Sequence, residues 1–171
     1  MTCLRLLGVF SILAAILFFP ITAHTIGGAD DTAWPAGASV ETQLSLTASI
    51  GSDGQPKIEG ALTVIYSGKR PVTVQKPTNR LVTAFLVFDP LGNPVAPSFR
   101  GKSDPAFEIK VLDPKAKFTH PFVGLDFVTG SGLVGYELKR SQRYRVIAIF
   151  RPAGPNGPGY TTQETSVQIP D

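Results

Sequence analysis

The sequence predicts an all-β domain, an antiparallel β-sandwich of seven to nine short strands behind an N-terminal signal helix. Three observations predict it. From Val40 onward the apolar residues recur with period two, and no stretch after residue 23 carries a convincing helical period. Turn residues punctuate the chain at the short spacing expected of a sandwich. The 17 glycines and 15 prolines sit mostly in those turns, and their share stays below the roughly 25–30% that marks disorder.

The first element is an address. Arg5 supplies a positive charge, Leu6 to Phe19 is an uncharged and almost wholly apolar run, and Pro20 breaks a helix. Ile21-Thr22-Ala23 then offers a cleavage site after Ala23, the order of a secretory signal. Gly27-Gly28-Ala29 offers a second site. The alternative is an uncleaved anchor, against which Leu6 to Ala23 reaches only the low edge of the ~17–25 residues a membrane helix needs. Cleavage after Ala23 removes Arg5 alone among charged residues and lowers the formal charge from +3 to +2. It also removes Cys3, the one cysteine, so the mature chain has no thiol for disulfides, nucleophilic catalysis or metal ligation. The expected location is the periplasm or the exterior.

Residues 24–39 form a flexible linker, with Gly27, Gly28, Pro35, Gly37 and an acidic pair at Asp30-Asp31. Trp34, the single tryptophan, is expected to pack on the edge of the domain or on a partner. The sandwich spans residues 40–171. Val40, Leu44, Leu46, Ala48 and Ile50 share one parity, with Glu41, Gln43, Ser45, Thr47 and Ser49 on the other, which makes one buried and one wet face. Asp53-Gly54 supplies a tight hairpin turn, and Ile58, Leu62, Val64 and Tyr66 continue as the antiparallel partner. After a turn over Ser67 to Pro71 comes a short strand, Val72 to Gln75. Leu81 to Phe88 is apolar on both faces and reads as a central strand.

Asp89 to Pro94 is a strong turn, and Ser98 to Pro105 a polar loop. Phe107, Ile109 and Val111 alternate with Glu108 and Lys110 as a further strand with one apolar side, ended by Asp113-Pro114. Phe118, His120 and Phe122 repeat the period. Gly130 to Gly135 reads as a loop and Leu133 to Arg143 as at most a helical turn or two. Tyr144 to Phe150 is a strand apolar on both sides, Pro152 to Pro158 a wide hairpin loop, and Thr161 to Ile169 a polar last strand.

These segments carry a resemblance. Ile58 to Ser67 runs into Gly68-Lys69-Arg70-Pro71-Val72, and Phe85 to Phe88 runs into Asp89-Pro90-Leu91-Gly92-Asn93-Pro94-Val95, similar to the strand and hairpin of bacterial immunoglobulin-like domains. Phe107 to Lys117-Phe118 resembles their edge, and Leu138 to Val146 their closing segment, with Tyr144 placed like a tyrosine corner. Proteinase inhibitors of the BsuPI type share this layout over roughly residues 57–151. The chain departs from it at Lys115 and Gln142, where glycine would be usual. The resemblance implies an immunoglobulin-like sandwich and carries no inhibitory residue over.

The chemical inventory is sparse. Gly130-Ser131-Gly132-Leu133-Val134-Gly135 matches a dinucleotide fingerprint, but the chain returns to strand at Tyr144, too soon for a crossover helix. His24 would stand beside the new N-terminus and could bind copper through amine and ring, against the plainer reading of an unstructured terminal histidine. His120 is expected to face inward or along an edge, and no zinc-type spacing surrounds it. Glu59, Glu108, Glu137 and Glu164 stand singly rather than as paired carboxylates. Lys139, Arg140, Arg143, Arg145 and Arg151, with Lys115 and Lys117, suggest either a basic edge for an acidic partner or charge that guards edge strands.

No catalytic, cofactor-binding or metal-binding residue is assigned from the sequence. The expected function is non-enzymatic recognition of another protein, through the loops at Ser98 to Pro105, Gly130 to Gly135 and Pro152 to Tyr160 or through an open strand edge. A structural or accessory envelope subunit that docks by strand addition, a proteinase inhibitor, and a small hydrolase are the alternatives. Nucleic acid is not an expected partner.

Overall fold

The computed structural model describes residues 38–76, 80–102, 108–129, 132–154 and 156–171. The signal segment, most of the linker with His24 and Trp34, and Gly130-Ser131 lie outside the described residues. What is described is all-β, built of antiparallel sheets consistent with a β-sandwich. The strands are β1 (Val40–Ile50), β2 (Pro56–Tyr66), β3 (Val72–Gln75), β4 (Thr83–Phe88), β5 (Ser98–Gly101), β6 (Ile109–Leu112), β7 (Lys117–Val123), β8 (Phe127–Thr129), β9 (Gly132–Gly135), β10 (Arg143–Phe150), β11 (Tyr160–Thr161) and β12 (Thr165–Gln168).

The first hairpin follows from its residues. Gly54 adopts φ +75°, and Gly51 and Gln55 close the turn with a hydrogen bond from the Gly51 N–H to the Gln55 carbonyl at 2.8 Å. That turn sets β1 against β2 from Ile50↔Pro56 to Val40↔Tyr66. The pairing runs one residue beyond β1, because the Ser67 N–H bonds the Ser39 carbonyl at 3.0 Å. In β1 the wet parity is exposed throughout, as its polar residues require. β7 pairs on the other side of β2, so the order is β1-β2-β7. β7 contains Pro121, which cannot donate to a ladder and belongs on an edge strand.

The facing sheet is centred on β10, with β4 on one side and β12 and β11 on the other. One core cluster joins the two sheets: Ile58, Leu62, Val64 and Tyr66 from β2 meet Phe85, Val87, Tyr144, Val146, Ala148 and Phe150. The Phe85 and Phe122 rings lie 5.2 Å apart across the interface.

The structure corrects several expectations. Twelve strands occur among the described residues rather than seven to nine, because segments of two to four residues are recruited by neighbours. β10, not Leu81 to Phe88, is the central strand of its sheet; β4 has one strand partner. Its other edge is covered instead: the Val95 N–H bonds the Val87 carbonyl at 2.8 Å, and the Tyr136 hydroxyl donates to the Phe85 carbonyl. Burial pushes the Tyr136 phenol up to about 12, so it remains a donor. The last strand is split in two because Thr162 enters the ladder with its side chain, its Oγ1 accepting from the Ala148 N–H at 3.0 Å. Two of the expected loops are partly strand, since β9 pairs with both β5 and β8. No helix forms between Leu133 and Arg143.

Asp89 closes its turn by accepting N–H bonds from Leu91 at 2.9 Å and Asn93 at 2.8 Å and the Asn93 amide at 3.1 Å, which holds its carboxyl below 3.8. Lys115 sits at φ +66° with the Ala116 N–H on the Asp113 carbonyl, so a lysine occupies a left-handed position that favours glycine. Near Gln142 the left-handed residue is its neighbour Ser141, at φ +60°.

Tyr144 is 3% exposed; its Oη accepts the Lys139 N–H at 3.0 Å and donates to Gln142 Oε1 at 2.9 Å. This is the backbone tie of a tyrosine corner. Tyr144→Phe leaves the Lys139 amide unsatisfied. Denaturant unfolding is expected to show a loss of about 1–3 kcal/mol.

Candidate protein-docking edge

Several sheet edges are closed in different ways, and one without such a closure among the described residues marks the site. β4 is covered by Val95 and Tyr136. β7 carries Pro121. At β1 the Leu44 carbonyl accepts the Thr165 hydroxyl at 3.2 Å. β5 is irregular between Phe99 and Gly101, and a bulge is a common guard on an edge. β3 is closed on its far side by the Gln75 N–H on the Pro152 carbonyl at 2.9 Å.

β6 shows no such closure among the described residues. It pairs with β3, from Val72↔Leu112 to Gln75↔Ile109. The Lys76 N–H donates to the Glu108 carbonyl at 2.7 Å, which sets the phase of the ladder. Hydrogen-bonded pairs alternate in an antiparallel ladder, so Lys110 and Leu112 turn their backbone groups to β3. Ile109 and Val111 turn theirs to the open side.

Ile109 and Val111 are on the apolar side that the alternation predicts. On the opposite parity Leu112 is fully buried, while Lys110 is exposed with its ammonium 4.8 Å over the Phe118 ring. Ile109 is 67% exposed and Val111 57%. Thus the two residues with outward backbone groups also present unpartnered apolar side chains. Glu108 flanks them, paired with Lys76 at 2.8 Å; the hydrogen bond and charge of Lys76 hold its carboxyl below 4.5.

The other sequence candidates are dispersed. Ser98 to Gly101 and Gly132 to Gly135 come together as β5 against β9, with Ser98↔Gly135 and Phe99↔Val134 in register. The Pro152 loop lies at the end of β3, where the Pro152 carbonyl accepts the Gln75 N–H. The basic residues do not form one edge. Arg140 reaches the Gly54 carbonyl at the tip of the first hairpin, whereas Lys117 pairs beside Ile65 at the opposite end of β2, about 30 Å away at the rise of a strand. Arg145 is neutralised by Glu164 at 3.2 Å and lies 5.7 Å over the Phe88 ring.

His120 faces inward, into a cavity of about 180 Å³ between the sheets. Leu62, Phe85 and Phe122 form its apolar side, and Arg80 and Asp126 line it with the histidine. Burial lowers the imidazole below its ordinary 6.5, opposed in part by the charge of Glu108. The neutral form is therefore the favoured one in the fold. Its contribution to stability is complete above the unfolded value of 6.5 and is lost as pH falls through the lower folded value. An NMR titration should place the His120 midpoint below 6.5, with chemical unfolding showing falling stability across that window. His24 lies outside the described residues.

The chain matches no family model, and no curated protein matches it.

Proposed function

We propose that this chain is an exported, non-enzymatic immunoglobulin-like β-sandwich that recognises a protein in the bacterial envelope or exterior by accepting one of its strands at β6. One observation carries the reading. Ile109 and Val111 offer backbone donors, backbone acceptors and exposed apolar side chains along the same strand edge. Strand addition draws affinity from main-chain bonds and specificity from alternate side chains, and this edge supplies both. The Tyr144 corner supports the immunoglobulin-like assignment. The order of Arg5, the apolar run and Ala23 supports export.

The test is affinity capture from an envelope extract with the wild-type chain and with Ile109→Lys/Val111→Lys, followed by identification of the retained protein. Charge on an edge strand opposes strand pairing. The expected result is a protein retained by the wild type and lost with the variant. A protease among the products would make the chain an inhibitor, and a structural envelope protein would make it an accessory subunit. Equal retention by both chains, or reproducible turnover of a substrate, would overturn the reading.

A further inference from the structure

We propose that a second copy of this chain is the strand that β6 accepts, paired antiparallel about a two-fold axis through Ile109. This rests on the docking role of the edge and names its occupant. The ladder phase restricts the choice of register. The residues that exchange backbone bonds with an added strand are those facing outward, Ile109 and Val111. A two-fold pairing must therefore set outward residue against outward residue.

Charge then separates the registers. With Ile109 opposite its own copy, Lys110 of each chain stands directly opposite Glu108 of the other, in the pair geometry where side chains approach most closely. The pairing occurs twice by symmetry. With Ile109 opposite Val111, Lys110 stands opposite Lys110, a like-charge contact that opposes association. With Val111 opposite its own copy, Lys110 stands opposite Leu112 and gains no ion pair. The ions available fit the first arrangement. Lys110 makes no ion pair among the described residues and lies over Phe118. Glu108 is already beside Lys76, so the copy's lysine completes a Lys76–Glu108–Lys110 ladder across three strands.

A lysine on an edge strand usually discourages pairing. Here the same lysine excludes strands that lack a carboxylate at the facing position and accepts one that carries Glu108. On the other face, Ile109 meets its own copy and covers apolar surface now open to water.

The experiment uses the full chain with Cys3→Ser, so that an added cysteine is the only one. Ile109→Cys should cross-link efficiently into a dimer with a short bifunctional thiol reagent, because its Cα would lie about 5.5 Å from its copy. Val111→Cys should not, since its copy would lie roughly 13 Å along the strand. In sedimentation, Glu108→Lys or Lys110→Glu alone should weaken self-association roughly tenfold, and the double exchange made together with Lys76→Glu, which keeps positions 76 and 108 opposite in charge, should restore it. Cross-linking at Val111 instead, cross-linking at neither site, or a double exchange that does not rescue would overturn the proposal. If those results come while envelope capture still requires Ile109, the second copy is wrong and the docking edge stands. If capture is also indifferent to Ile109, both fall.

Discussion

Phe150→Ala is expected to cost about 3–5 kcal/mol, the largest effect of any single truncation considered. Phe150 is fully buried at the end of β10, the strand to which β4, β11 and β12 all pair. Its backbone is set between Thr83 of β4 and Tyr160 of β11, so the sheet cannot move inward to fill the space the ring leaves. The cost therefore includes the lost transfer energy of the ring and most of the cavity. For a domain of this size it corresponds to a fall in Tm of roughly 10–20 °C, measurable by calorimetry. A loss under about 1 kcal/mol would mean that the two sheets are not packed on each other at this position.

Gly68→Ala is the second, with an expected cost of about 3 kcal/mol for a single added methyl. Gly68 does not need unusual backbone angles. It needs the absence of a side chain, because a Cβ there would fall inside the Tyr66 ring. Tyr66 cannot yield: it is fully buried, and its hydroxyl donates to the Arg70 carbonyl at 2.7 Å. The chain leaves β2, turns through Gly68 and passes under its own tyrosine to reach β3. The same physics predicts strong coupling. In a Tyr66→Ala background, Gly68→Ala should cost much less, and a double-mutant cycle in denaturant would show the difference. Additive effects would contradict the packing.

The account distinguishes what the chain encodes locally from what its neighbours decide. The first hairpin was legible because Asp53-Gly54 and the alternation from Val40 to Tyr66 are local signals, and the turn pins the register. β5 and β9 were not, because Ser98 to Gly101 and Gly132 to Gly135 have little strand character alone and become strands by pairing with each other. The alternation of Phe107, Ile109 and Val111 announced a strand with an apolar side but not the direction in which that side faces. Leu112 decided it, by taking the buried position against Val72 of β3. The basic residues near the chain's end looked like one cluster because sequence proximity does not record that Arg140 folds back onto Gly54 while Lys117 sits at the other end of β2.

The docking site was legible only as a category. An open edge was among the expected recognition surfaces, but its location depends on which strands find partners. Covered edges at β4, β1 and β3 rest on Tyr136, Thr165 and Pro152, each distant in sequence from the strand it closes. The open side of β6 is recognised only when those closures are known.

Amide hydrogen exchange read residue by residue tests the open edge most directly. At high dilution, the Ile109 and Val111 amides should exchange rapidly while those of Lys110 and Leu112, bonded to β3, are protected. Raising the protein concentration or adding a captured partner should slow Ile109 and Val111 and leave the other two unchanged. Protection of Ile109 and Val111 equal to that of Lys110 at every dilution would mean that the chain closes this edge itself, and would contradict the account.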